Sequence, residues 1–167
     1  MATTCKLIAK TVLGSDTASI EFTSIPATAT DLWLVISARS TTVDTAVGLT
    51  FTVNGDTTDG NYTQRNLRGN GATVISGTTN TRLLGYLPGA SMTADTFSNN
   101  EIYIPNYAGS ANKSYSCTYA VETNASTAFT GAFAALWSNT SAITSLKIEA
   151  GTLKSGSSAY LYGITKA

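Results

Sequence analysis

The sequence predicts an all-β fold, an antiparallel two-sheet β-sandwich built as one domain over residues 1–167. Three observations carry this. Apolar and polar residues alternate with a period of two through short runs, the pattern of strands buried on one face. Turn residues separate the runs at the close spacing of sandwiches and barrels. The longest stretch with helical character, Thr130–Leu136, contains Gly131 and is flanked by Phe129 and Trp137, so it too favours strand.

Taken in order, Lys6–Leu13 opens the series, and Ala18–Thr23 puts Ile20 and Phe22 on one face. Asp31–Arg39 is more continuously apolar and reads as a central strand covered on both faces, with Leu32, Leu34 and Ile36 opposite Trp33 and Val35. Gly48–Val53 turns Leu49, Phe51 and Val53 inward. Asn54-Gly55 follows at once, the signature of a two-residue hairpin, with Tyr62–Leu67 as the return strand or a long loop. Thr81–Leu87 is stopped by Pro88-Gly89, and Asn100–Ile104 by Pro105. Ser114–Val121 and Phe129–Trp137 form an antiparallel pair across residues 122–128. Ile143–Glu149 alternates, and a turn over Gly151–Ser158 leads into Ala159–Ile164.

The count is about nine or ten strands. Arg68–Gly71 and Ser76–Asn80 read as loop tips, and a turn or two of helix is expected near Ala90–Thr96. The expected core is Leu34, Ile36, Phe51, Val53, Ile102, Ile104, Leu146 and Ile148, with Trp33 and Trp137 also inside apolar runs.

Composition narrows the function. Ten basic and ten acidic residues give a formal net charge of zero. Nucleic-acid affinity rests largely on neutralised phosphates, so no nucleic-acid partner is expected, and no polybasic membrane anchor is present. No apolar run approaches the length of a membrane helix, and residues 1–10 lack a signal-peptide pattern. Folding in the compartment of synthesis is the expectation, and Cys5 and Cys117 are read as reduced structural cysteines.

The chain has no histidine. That removes Ser–His–Asp and Cys–His machinery and His-ligated zinc, and two cysteines cannot make a four-cysteine site. A glycosidase needs only two carboxylates, but no pair here is singled out by spacing. The reading is therefore no enzyme, no cofactor and no metal. Asp56-Thr-Thr-Asp-Gly-Asn61 offers oxygens, yet it fails the calcium-loop spacing and reads as a turn. Four matches to the N-glycosylation pattern, at Asn61, Asn112, Asn124 and Asn139, are expected by chance in so Ser- and Thr-rich a chain. Recognition falls to residues near turns. Tyr62, Tyr86 and Tyr107 offer rings that stack on a sugar or fill a partner's pocket, and Arg65 and Arg68 offer anchors.

Ala18–Pro26, Asp31–Ser40, Ser138–Ser145 and Ala159–Ile164 together resemble small virion structural proteins of tailed bacteriophages, especially cyanophages and marine phages. The likeness is one of texture and short phrases over most of the chain, and it carries no site residues across. It implies a jelly-roll-like sandwich on the outer surface of the phage capsid, assembled in the host cytoplasm. Two roles follow: a capsid decoration, or cement, protein bridging subunits of the major capsid protein, or a tail-fibre adhesin tip binding host carbohydrate. The first strand begins near Met1 and the last ends near Ala167, so no fibre shaft or coiled coil is expected, which favours cement. Self-association as a homotrimer is the expected symmetry.

Overall fold

The computed structural model describes residues 4–124 and 127–165. Met1–Thr3 and Ser126 of the Asn124 glycosylation pattern lie outside the described residues. Twelve strands are present: β1 (Thr4–Val12), β2 (Thr17–Phe22), β3 (Asp31–Ser37), β4 (Ala46–Val53), β5 (Tyr62–Gly69), β6 (Val74–Thr79), β7 (Leu83–Pro88), β8 (Asn99–Ile104), β9 (Lys113–Val121), β10 (Phe129–Trp137), β11 (Leu146–Leu153) and β12 (Ser158–Thr165). A single 3-10 turn at Asp59–Asn61 precedes β5, and no α-helix occurs among the described residues.

The strands form two antiparallel sheets packed face to face. The large sheet has the order β1-β12-β3-β8-β9-β10-β5-β6, and the small sheet β2-β11-β4-β7. Eight strands, β1-β12-β3-β8 against β2-β11-β4-β7, follow the strand order of a jelly roll: once the insertions are set aside every connection crosses between sheets except β4 to β7, which are neighbours in the small sheet. Two insertions break the series, β5–β6 between β4 and β7 and β9–β10 between β8 and β11. Both add to the free side of β8 and extend the large sheet alone.

The alternation places the core. Leu32, Leu34 and Ile36 of β3 and Ile102 and Ile104 of β8 belong to one buried cluster with Leu49, Phe51 and Val53 of β4 and Leu146 and Ile148 of β11. All eight core positions expected from sequence are at most 1% exposed. Each such side chain contributes about 1.5–3 kcal/mol by leaving water.

Four local expectations are corrected. The Asn54-Gly55 turn forms, with φ of 50° and 69° and the Asp56 N–H donating to the Val53 carbonyl at 2.9 Å. It makes no hairpin, because β4 already pairs with β11 on one side and β7 on the other. The chain crosses instead to the large sheet, where β5 pairs with β10. No helix forms over residues 90–96. The carbonyls of Met92, Thr93 and Thr96, which a helix would bond internally, accept the guanidinium of buried Arg39 at 2.7–3.1 Å. The strand expected at Ile143–Glu149 starts at Leu146, because Asn54 Oδ1 accepts the N–H groups of Thr144 and Ser145 and its Nδ2 donates to the Ala142 carbonyl. Residues 74–79, read partly as a loop tip, form β6 on the register of β5.

Candidate interaction surface

The cover of the large sheet runs out strand by strand. β7, the edge of the small sheet, lies over β9 and β10. Buried positions number five of nine in β9, three of nine in β10, two of eight in β5 and none of six in β6. The β5–β6 hairpin is therefore a single-layered wing. Two strands alone are marginal in water, so the wing is held by continuous pairing of Tyr62–Gly69 with β10.

The register sorts the wing's side chains. Asn66, Arg68, Ile75 and Gly77 face the small sheet, and Arg65, Leu67, Val74 and Ser76 face outward. Leu67 and Val74 on the outward face and Ile75 on the inner one are 56%, 75% and 44% exposed, apolar side chains without cover on both faces of the wing. Between the wing and β7 runs a groove of about 230 Å³ lined by Asn66, Arg68, Ile75, Leu83, Tyr86 and Phe133. The Arg68 guanidinium lies 5.1 Å from the Tyr86 ring centroid, and its Nη1 donates to the Tyr86 hydroxyl at 2.6 Å. Tyr86 stacks on Phe129 at 6.2 Å and tilts against Tyr119 at 5.9 Å. Gly131 makes this possible: a Cβ there would stand 2.7 Å from both the Leu67 carbonyl oxygen and the Tyr119 ring. Burial pushes the Tyr119 hydroxyl up to about 12.

Of the five residues singled out by sequence, the structure brings Arg68 and Tyr86 together in this groove. Arg65 lies on the opposite face of β5, exposed beside a shallow depression lined by Thr63, Ser114, Ala134 and Leu136. Tyr62 and Tyr107 are corrected, since both rings point into the core at 1% and 0% exposure. The Tyr62 hydroxyl donates to the Asp56 carbonyl at 2.9 Å and accepts the Val53 N–H at 3.1 Å, pinning the crossover between sheets. Burial raises its pKa to about 12. The Tyr107 hydroxyl donates to the Pro26 carbonyl, tying the turn after β8 to the loop before β3. Neither ring is available to a partner.

The Asp56–Asn61 segment is a turn filled by its own donors. The Asp56 carboxylate accepts the Thr58 N–H at 3.0 Å, Asn61 Nδ2 at 2.8 Å and the buried Trp137 Nε1–H at 2.8 Å. These hydrogen bonds, the indole's first, hold its carboxyl below the usual carboxylate range against the opposing effect of burial. Asp59 is ion-paired with Arg82 at 3.0 Å. Cys117 is buried and its thiol pushed up to about 12 by desolvation, whereas Cys5 is exposed on β1; both are free. Cys5 sits on the sheet's edge strand, outside the core.

A second surface escaped the sequence reading. Trp33, expected in the core, lies half-buried on the outer face of β3, because nothing in the described chain covers that side of β1-β12-β3-β8. The register sets Tyr103, Trp33, Tyr162 and Leu7 in one row across four strands. Trp33 and Tyr162 have ring centroids 5.7 Å apart, and the Tyr103 hydroxyl is anchored on Asp31. The next row is Glu101, Val35, Tyr160 and Lys10. Parity was the available signal: Trp33 alternates out of phase with Leu32, Leu34 and Ile36.

The two ends of the large sheet differ. β1 carries Lys6 and Lys10 and a bulge between Leu7 and Ala9, the devices that blunt a free edge. β6, the opposite end, has no charged residue, no proline and no bulge against β5. No family model matches the chain, and no curated protein or solved structure matches it.

Proposed function

We propose that the chain is a phage virion structural protein, a capsid decoration protein that docks on the outer shell and braces it by bridging subunits of the major capsid protein. The observation that supports this best is the wing. β6 ends the large sheet with an unblunted edge beside the exposed Leu67, Val74 and Ile75. A strand supplied by a partner would pair its backbone groups and cover that apolar surface in one step. Arg68 and Tyr86 stand beside the edge, already fixed to each other, and Arg and Tyr are enriched among the residues that carry interface affinity. Near-zero net charge suits packing against a shell without long-range repulsion. The jelly roll carries capsid and lectin domains alike, so the fold alone does not choose. The wing, and the resemblance of the short phrases to virion proteins, support the shell reading.

Each copy contributes a modest docking energy, and many copies together raise the cost of separating capsid subunits. Particles lacking the protein are expected to assemble but to lose DNA at lower temperature or under osmotic shock, and added protein restores them. Depleted particles that resist heat as well as complete ones, but no longer adsorb to cells, would replace this reading with the adhesin. That second reading is favoured by one feature, the open row of Tyr103, Trp33 and Tyr162, whose rings suit stacking on sugars. It predicts that Trp33→Ala abolishes binding to host envelope polysaccharide.

A further inference from the structure

We infer that the outer face of β1-β12-β3-β8 is covered by a second copy of this chain, related by a two-fold axis lying parallel to the strands between β3 and β12. This stands apart from the wing and from whatever the wing docks on. The face is open along its whole width and carries Leu7, Val12, Trp33, Tyr103, Tyr160 and Tyr162, with Val12 59% and Leu7 43% exposed. A soluble surface rarely gathers so many large apolar side chains without use.

The charges choose the occupant. Glu101 and Lys10 stand at opposite ends of one cross-strand row, on β8 and β1, and neither has an ion-pair partner among the described residues. Three strand spacings separate them, about 14 Å, too far to pair within one chain. A two-fold axis along the strands exchanges β8 with β1 and β3 with β12. It sets Glu101 of each copy opposite Lys10 of the other, making two ion pairs at once. The same rotation lays Trp33 against Tyr162 and Tyr103 against Leu7, aromatic and aliphatic partners in each case. An axis across the strands through this row would instead bring Glu101 onto Glu101, which opposes association. Such isologous self-complementarity is what a closed pair requires of a single patch. A neutral glycan would stack on the rings but has no use for opposite charges fixed at the two ends of the row.

The contact is small. Four strands by five residues make a footprint of about 300 Å², well under the roughly 800 Å² per partner of a stable complex. Association is therefore weak, and it forms at the high local concentration of an assembly.

Sedimentation equilibrium of the full chain from about 1 µM to 1 mM tests this. A monomer–dimer transition is expected, with Trp33 emission moving to shorter wavelength as the face is covered while buried Trp137 stays constant. Glu101→Lys and Lys10→Glu should each move the midpoint upward by about tenfold, and the double exchange should return it to within about threefold of the original. All these side chains are outside the core, and melting curves check that the variants stay folded. A monomer at every concentration overturns the inference, as does a trimer. A double exchange that fails to restore association overturns the two-fold geometry. Host polysaccharide that shifts Trp33 emission of a strictly monomeric chain gives the face to a glycan instead.

Discussion

The jelly roll and the wing are made from the same kind of sequence and behave as opposites. Both are Thr- and Ser-rich strands with scattered apolar residues. In the jelly roll a second sheet closes over the inner face, and Phe51 and its neighbours are fully buried. In the wing the small sheet has stopped at β7, and Ile75 on the corresponding inner face remains in water at 44% exposure. Strand β5 passes from one regime to the other: on its inner face Tyr62 and Gln64 are buried at its start, while Asn66 and Arg68 are only half-buried towards its end. What differs is the layer opposite, not the strand. Stability is concentrated where two layers meet, and the single layer is left free to carry contacts.

The comparison breaks most easily at Phe51. Phe51→Ala is expected to cost about 3–5 kcal/mol in denaturant unfolding, whereas Ile75→Ala in the wing should cost under about 1 kcal/mol. Equal costs would mean that the wing is covered in solution. Next comes the turn that joins the two regions. Asp56→Ala leaves the buried Trp137 indole N–H without its acceptor and should cost about 1.5–3 kcal/mol. Because the Asp56 carboxyl is held down in the folded chain, its contribution is fully present above the unfolded-state value near 4 and is lost as pH falls through the lower folded value. The stability gap between the wild-type chain and Asp56→Asn should therefore close below about pH 4 in a series of thermal melts. The smallest effect on stability sharpens the contrast furthest. Val74→Lys and Ile75→Lys should change unfolding by no more than about 0.5 kcal/mol yet abolish rescue of depleted particles, measured by heat-induced DNA release.

The inner face of the sandwich was legible because burial on one side writes a period of two. Leu34, Ile36, Phe51 and Val53 follow from alternation alone. The outer face was not, because a strand does not say whether anything lies on its far side, and Trp33 was placed under a cover that the described residues do not supply. Tyr62 and Tyr107 failed for a related reason. Proximity to a turn fixes where the backbone is, and the ring is free to swing inward, as both do onto backbone partners of the opposing layer. Asn54-Gly55 dictated its own turn but not the next strand's sheet, which was decided by β7 and β11 already flanking β4. Arg68 and Tyr86 were found through residue type, and their meeting depends on the β5–β10 register, which no local pattern encodes. β6 was partly missed because Val74–Thr79 contains Gly77 and Thr-rich positions and buries nothing.

The blunted edge at β1 has a consequence for what this molecule can build. Polymers grown by strand addition need each subunit to present both a donating and a receiving edge, so that every arrival regenerates the site it consumed. In the large sheet one of the two is spent: the bulge after Leu7 breaks the straight hydrogen-bonding ladder, and Lys6 and Lys10 keep β1 hydrated. A strand that joins at β6 therefore leaves no fresh edge of the same kind behind it, and the series terminates after one step. The sheet can cap a surface, but it cannot seed a fibre.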